Sequence, residues 1–236
     1  MSSRLPLGRD DSLGLEAARG KLIISCQAYP GEPMNDRYVM TRVALAAERG
    51  GAAAIRAQGV ADVSSIAQAV SVPVIGLWKE GVGDVFITPT LNHALAIVSA
   101  GATVVAMDGT RRKRPDGLSL STTITRLKQH SRVEVMADCG SLADAQASEA
   151  AGADYLGTTL AGYTGERPRT EGPDLELVAQ IATSCSLPVV AEGRFRTAAE
   201  VRAALDMGAF SVCVGTAITH PQRLTERMIR EVVRSS

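Results

Sequence analysis

Short runs of Val, Ile and Leu alternate along the chain with longer stretches in which alanine and leucine recur among polar residues. The short runs are bounded by Gly, Pro, Asp or Ser, as buried strands are, and the longer ones carry apolar residues at helical spacing. One phrase repeats. A Gly-Ala pair leading into a strand-like run occurs at Gly51-Ala52, Gly101-Ala102, Gly152-Ala153 and Gly208-Ala209, each time after an alanine-rich stretch. Glycine there suits a helix C-terminal cap, and the run after it suits a parallel strand covered on both faces. Ser71-Val72-Pro73-Val74-Ile75 and Ser186-Leu187-Pro188-Val189-Val190 mark two further strands, with proline tolerated at the first strand residue. Residues 21–27 and 132–138 supply two more.

The pattern predicts eight strands, near 22–27, 52–56, 73–78, 103–108, 133–138, 154–158, 188–192 and 210–215. It predicts helices between them, among them 38–49, 118–130, 142–151, 175–184, 198–207 and 221–233. Strict alternation requires a parallel sheet, and eight units of roughly 27 residues fit a closed (β/α)8 barrel better than an open sheet. An open doubly wound sheet would place Gly-x-Gly-x-x-Gly after its first strand, where this chain reads Ala28-Tyr29-Pro30-Gly31-Glu32-Pro33. Residues 1–236 are therefore expected to form one α/β TIM-barrel domain. Residues 1–20 are its N-terminal extension, with a short helix near 13–19 closing the bottom of the barrel.

Composition narrows what such a barrel can do. The 25 basic and 25 acidic side chains cancel, so there is no basic field for a polyanion and nucleic acid is not an expected partner. No apolar run exceeds five residues, far below the roughly 20 needed to span a bilayer. The first twenty residues carry Arg4, Arg9, Asp10, Asp11 and Glu16 in place of the apolar core of a secretory signal. A cytoplasmic protein without a membrane partner is expected. Cys26, Cys139, Cys185 and Cys213 are too far apart for a Cys-x-x-Cys site, and His93, His130 and His220 are equally scattered. Packed thiols are expected, and nothing in the spacing asks for a metal.

Barrel enzymes carry their chemistry where strands end. Those positions here are Gln27, Arg56, Lys79, Asp108, Asp138, Thr158 or Thr159, Glu192 and Gly215-Thr216. Polar groups at nearly every strand end exceed what structure alone requires. Lys79 and Glu192, four strands apart in a ring of eight, project from opposite walls. Such a pair can remove a proton from a carbon beside a carbonyl and return one to the other face. Lys79 could instead form a Schiff base, and a pocket without chemistry would be a sugar-phosphate sensor. Gln27, Arg56 and Asp138 suit hydroxyls, an acetamido group or an enolate oxygen. Gly193-Arg194 and Gly215-Thr216 lie in the two loops that bind phosphate in many barrels, which favours a phosphorylated small molecule. The long loops 79–90 and 159–173 lie on the same face and read as lids or binding elements. Arg111-Arg112-Lys113-Arg114 reads as a solvated turn.

Taken in order, several segments closely resemble the N-acetylmannosamine-6-phosphate 2-epimerase family. They are Ser25-Cys26-Gln27-Ala28, Ile55-Arg56, Gly76-Leu77-Trp78-Lys79 and Met136-Ala137-Asp138-Cys139, followed by Thr158-Thr159-Leu160-Ala161-Gly162-Tyr163-Thr164, Glu171-Gly172-Pro173-Asp174, Ala191-Glu192-Gly193-Arg194 and Val214-Gly215-Thr216-Ala217-Ile218-Thr219. The resemblance implies a barrel of the ribulose-phosphate-binding type that converts N-acetylmannosamine 6-phosphate to N-acetylglucosamine 6-phosphate in sialic acid or amino-sugar breakdown. It implies a homodimer with no metal or organic cofactor. Lys79 is then the acid/base and Glu192 its catalytic partner. Gln27, Arg56, Asp138, Thr159 and Tyr163 are expected at the substrate, and Gly193, Arg194, Gly215, Thr216 and His220 at its phosphate. Members of the family usually read Ile-Thr-Arg-Pro where this chain reads Ile218-Thr219-His220-Pro221. His220 is therefore expected to alter phosphate affinity and not the reaction.

Overall fold

Each Gly-Ala phrase closes a helix. In the computed structural model, which describes residues 14–81 and 83–234, Gly51, Gly101, Gly152 and Gly208 have φ of +97°, +98°, +92° and +96°. Their amides bond to the carbonyl three residues back, and the amides of the alanines that follow bond to the carbonyl five back. This double closure needs a left-handed residue, which only glycine supplies without strain. The chain then turns straight into the next strand.

The elements so joined are β1 (Leu22–Cys26), α1 (Arg37–Arg49), β2 (Ala54–Gln58), α2 (Val60–Ala69), β3 (Val74–Leu77), α3 (Leu91–Ser99), β4 (Val104–Asp108) and α4 (Leu120–His130). They continue as β5 (Glu134–Asp138), α5 (Leu142–Ala150), β6 (Tyr155–Gly157), α6 (Leu175–Ser184), β7 (Val189–Glu192), α7 (Ala198–Asp206), β8 (Ser211–Val214), α8 (Thr216–Thr219) and α9 (Pro221–Arg234). The strands pair in parallel in chain order, and β8 returns to β1 through Leu22↔Val212, Ile23↔Cys213 and Ile24↔Val214. The fold is the expected TIM barrel. Asp36, Thr90, Ser119, Ser141, Asp174 and Thr197 each cap a helix by accepting from the amide three residues on. Caps of this kind contribute typically ~1 kcal/mol each.

Several strands start later than the sequence suggests. Gly51 and Ala52 are consumed in closing α1, so β2 begins at Ala54, and β4, β6 and β8 are shifted in the same way. As a result Arg56 is not the last residue of its strand but lies at its middle.

Alternation along the strands sorts the side chains. Ile55, Val105, Val135 and Val212 pack against the helices, whereas Ile23, Ala54, Ile75, Val104, Met136 and Val190 fill the barrel. Two residues further along, the inward positions become Ser25, Arg56, Asp138 and Glu192. The barrel thus has an apolar floor and a charged upper layer. A 3-10 turn at Leu15–Ala18 plugs the floor, burying Leu15 and Ala18. The Leu15 amide donates to Tyr155 Oη at 3.1 Å, and Tyr155 Oη donates to Glu134 Oε2 at 3.1 Å. The expected helix near 13–19 is this turn, and residues 1–13 lie outside the described ones. Among the described residues no helix is long and apolar enough to cross a membrane.

The basic run after β4 corrects the sequence reading. Arg111 donates to Asp144 Oδ1 and, at 2.7 Å, to both oxygens of Glu166. Arg112 pairs with Asp108 Oδ2 at 2.9 Å, and Arg114 is buried. Lys113 alone in this run matches a solvated turn. Asp144 and Glu166 come from distant elements, so no local pattern reveals them, whereas Asp108 stands four residues before Arg112.

Candidate active site

Asp138 ends β5 and is fully buried. Its Oδ1 and Oδ2 accept from Arg56 Nη1 and Nη2 at 3.2 and 2.6 Å, a two-pronged pair. Oδ1 also accepts from Thr159 Oγ1 at 2.7 Å. Gly157 leaves room beside this pair, where an added Cβ would lie 2.6 Å from Met136 Cε and 3.0 Å from Asp138 Oδ1 and push the methionine side chain aside. On its other side Arg56 Nη1 lies 3.3 Å from Glu192 Oε2 at the end of β7. Thr158 Oγ1 accepts from the Glu192 amide and donates to the Glu192 carbonyl, both at 2.9 Å, which fixes Glu192 at its backbone. The Cys213 thiol of β8 lies beside the same carboxyl. Burial holds that thiol well above its ordinary pKa, so it stays S–H.

Charge in this layer is unevenly supported. Burial raises the pKa of the Glu192 carboxyl, Arg56 opposes the rise, Asp138 adds to it and Lys79 opposes it, with a net shift upward. Burial also disfavours the Arg56 cation, but Asp138 and Glu192 more than offset this and keep it charged. The arrangement leaves a permanent cation next to a carboxyl that retains its proton to higher pH than an ordinary glutamate.

Lys79 lies two residues beyond β3, with its backbone bridged antiparallel to Ile87. Its Nζ donates to Tyr29 Oη at 2.9 Å and sits 4.6 Å from the centre of that ring. Gln27 follows β1 directly. Its Nε2 donates to Ser25 Oγ at 2.9 Å, while its Oε1 is buried with no partner among the described residues.

Lys79, Glu192, Arg56, Gln27, Thr159 and Tyr163 share the wall of one cavity of about 1080 Å³ at the C-terminal mouth of the barrel. Gly193, Arg194, Gly215, Thr216 and His220 line it too. Asp138 does not reach the wall. It lies behind Arg56 and holds that side chain in place.

Two of the residues expected at the phosphate have other partners. The Arg194 guanidinium donates to Gly172 O, Ala161 O and Thr170 Oγ1, each at 2.9 Å, and so ties down the loop after β6. His220 Nδ1 stands 3.8 Å from Glu32 Oε2, which also accepts from the Tyr29 amide. Sequence reasoning passed over Tyr29 and Cys213. Cys213 was legible as an inward position of β8, but nothing local to Tyr29 marks it. Among the described residues no group of three His, Cys, Asp or Glu side chains could hold a metal ion.

Comparison with known proteins identifies the family. A family model described as "Putative N-acetylmannosamine-6-phosphate epimerase" matches residues 40–234. A protein from Cutibacterium acnes named "Putative N-acetylmannosamine-6-phosphate 2-epimerase" is 56% identical over 208 residues, covering 87% of this chain and 91% of its own. One of the same name from Caldanaerobacter subterraneus is 43% identical over 212 residues, covering 88% and 89%. The solved structure of the N-acetylmannosamine-6-phosphate 2-epimerase from Clostridium perfringens is 36% identical and superimposes with a TM-score of 0.91, covering 95% of this chain and 99% of that one. The chain therefore belongs to the N-acetylmannosamine-6-phosphate epimerase family.

Proposed function

We propose that this protein is an epimerase that inverts C2 of N-acetylmannosamine 6-phosphate to give N-acetylglucosamine 6-phosphate, in amino-sugar or sialic acid breakdown. The reading rests above all on the meeting of an amine, Lys79, and a carboxyl whose pKa burial raises, Glu192, on the wall of one cavity. C2 of the open-chain sugar stands beside the C1 aldehyde. Its C–H bond breaks readily only if the negative charge developing on O1 is met by fixed donors. In this reading the Lys79 amine takes the C2 proton, the C–H electron pair becomes the C1=C2 bond of an enol, and the C1=O π pair moves onto O1. The Glu192 carboxylic acid donates toward O1, and the fixed charge of Arg56 lies behind it. Return of a proton from Lys79 to the other face of C2, with the O1 proton passing back to the Glu192 carboxylate as the C1=O bond re-forms, completes the inversion. Gln27 Oε1, a buried acceptor with no partner among the described residues, suits the acetamido N–H.

The phosphate is assigned to the backbone of Gly193, Arg194, Gly215 and Thr216, with His220 at the edge. The Arg194 side chain serves the loop instead. A sugar phosphate does not cross a membrane unaided, which favours a cytoplasmic enzyme. No residue of α9 between Pro221 and Val233 is buried, and Met228, Ile229 and Val233 expose an apolar stripe, which favours a homodimer formed over that helix.

Proton NMR in deuterated water with N-acetylmannosamine 6-phosphate tests the reaction. Growth of the gluco epimer with deuterium at C2 is expected, and its absence with active-site residues intact would refute the reading.

A further inference from the structure

Thr88 is a strained residue at the mouth of the barrel. Its φ is +46°, in the left-handed region where a β-branched side chain is an outlier, and it is fully buried. Strain of this kind persists only where the surroundings over-determine it. Here every polar atom of the residue is engaged. The Thr88 amide donates to Trp78 O at 2.7 Å, and Thr88 Oγ1 accepts from the Trp78 amide at 3.1 Å. Oγ1 also donates to Ala106 O at 2.6 Å, and the Thr88 carbonyl accepts from Arg114 Nη2 at 2.6 Å. Thr88 thus grips both backbone groups of the residue before Lys79. Its other neighbour in the chain, Ile87, bridges to Lys79 itself.

Arg114 closes this arrangement. Its second prong, Nη1, donates to Asp108 O at 2.9 Å, so one buried guanidinium ties the end of β4 to the loop that carries Lys79. The Asp108 amide donates to Ile87 O at 2.9 Å and makes the same connection one residue earlier. Only a planar fork spans two carbonyls on separate segments in this way. A lysine ammonium presents a single point and reaches one of them.

Resting on the reading of Lys79 as the C2 acid/base, we propose that Arg114 is a positioning residue for the reaction. Acting through Thr88, it fixes the backbone from which Lys79 reaches C2. A displacement of about 1 Å at a reacting group can cost about 100-fold in rate while leaving most binding contacts in place.

The test compares Arg114→Lys, Thr88→Val and Thr88→Ser with wild type and with Lys79→Ala, using steady-state epimerisation and melting curves. Arg114→Lys and Thr88→Val should lower kcat by roughly 10- to 100-fold and change KM by less than about threefold, the split expected for a lost transition-state alignment. Thr88→Ser keeps the hydroxyl and should retain kcat within about twofold of wild type, on the same alignment argument. If Arg114→Lys does not fold, Thr88→Val decides, because it keeps the shape and the buried arginine. A folded Arg114→Lys or Thr88→Val with wild-type kcat, or with the loss confined to KM, overturns the proposal. Full turnover in Lys79→Ala would overturn the reading of Lys79 and the proposal with it. Loss in Lys79→Ala with normal Arg114→Lys and Thr88→Val would overturn the proposal alone.

Discussion

The amine and the carboxyl that face the cavity are held in opposite ways. Glu192 ends a strand, has both backbone groups bonded to Thr158 Oγ1, and stands 3.3 Å from a guanidinium that is itself locked to Asp138. Lys79 lies beyond its strand, and its Nζ bonds to Tyr29, a side chain 47% exposed. One group is part of a rigid charged platform and the other is an arm with a clamped base and a tip held by a half-exposed tyrosine. An epimerase needs both kinds of support. Charge on oxygen is best met by dipoles that do not move, whereas a proton leaving one face of carbon and returning to the other needs a carrier that can shift.

Lys79→Ala should break the arm and leave the platform intact. Turnover is expected to fall by about 100- to 10,000-fold, the range for a positioned acid/base group, with an unchanged melting temperature. A loss below about threefold would make Lys79 an ordinary loop lysine.

Asp138→Ala attacks the platform. It removes the two-pronged partner of a buried guanidinium, and breaking a buried pair in this way typically costs about 3–5 kcal/mol of stability. Urea unfolding followed by circular dichroism measures this, and a loss under about 1 kcal/mol would mean that Glu192 and solvent can support Arg56 without Asp138.

Glu192→Gln separates chemistry from stability. It should lower kcat by on the order of tenfold or more while moving KM little, since an amide cannot donate as an acid does. Its melting temperature should rise relative to wild type as pH increases. The sign follows from the raised pKa of Glu192, caused chiefly by burial. Above the ordinary value of 4.5, the unfolded chain has released a proton that the folded protein still holds, so wild-type stability falls as pH rises through that window. Glutamine has no such slope. Melting curves of the two proteins that stay parallel from pH 4 to 8 would place Glu192 in an ordinary aqueous environment.

Tyr29→Phe is the mildest change, removing one hydrogen bond at the tip of the arm. A loss of roughly 0.5–1.5 kcal/mol, or at most about tenfold in kcat/KM, is expected. A deficit as large as that of Lys79→Ala would show the tip to be as rigidly held as Glu192.

Much of this architecture can be read from local sequence. The helix closures depend on Gly-Ala pairs whose hydrogen bonds span at most five residues, so eight strands and the barrel follow from the pattern. The same closures displace the strand starts, so Arg56, which the pattern places at a strand end, is a buried mid-strand cation. Lys79 and Glu192 were legible because polar residues at strand ends stand out against apolar runs. The carboxylate partners of Arg111, the tie from Arg114 to Thr88, the proximity of Tyr29 to Lys79, and the tie from Arg194 to Gly172 were not. Those contacts join loops that only the closed barrel brings together.

The central claim, that a single mobile arm carries the C2 proton while the platform stays fixed, is tested most directly by isotope exchange. Each epimer is incubated separately in deuterated water with Lys79→Ala and with Glu192→Gln, and loss of the C2 proton signal is followed by NMR. The account predicts that Glu192→Gln exchanges C2 of both epimers, more slowly than wild type, and that Lys79→Ala exchanges neither. Exchange of one epimer by Lys79→Ala at a rate near that of wild type would contradict it, because a second group would then be moving the proton on that face.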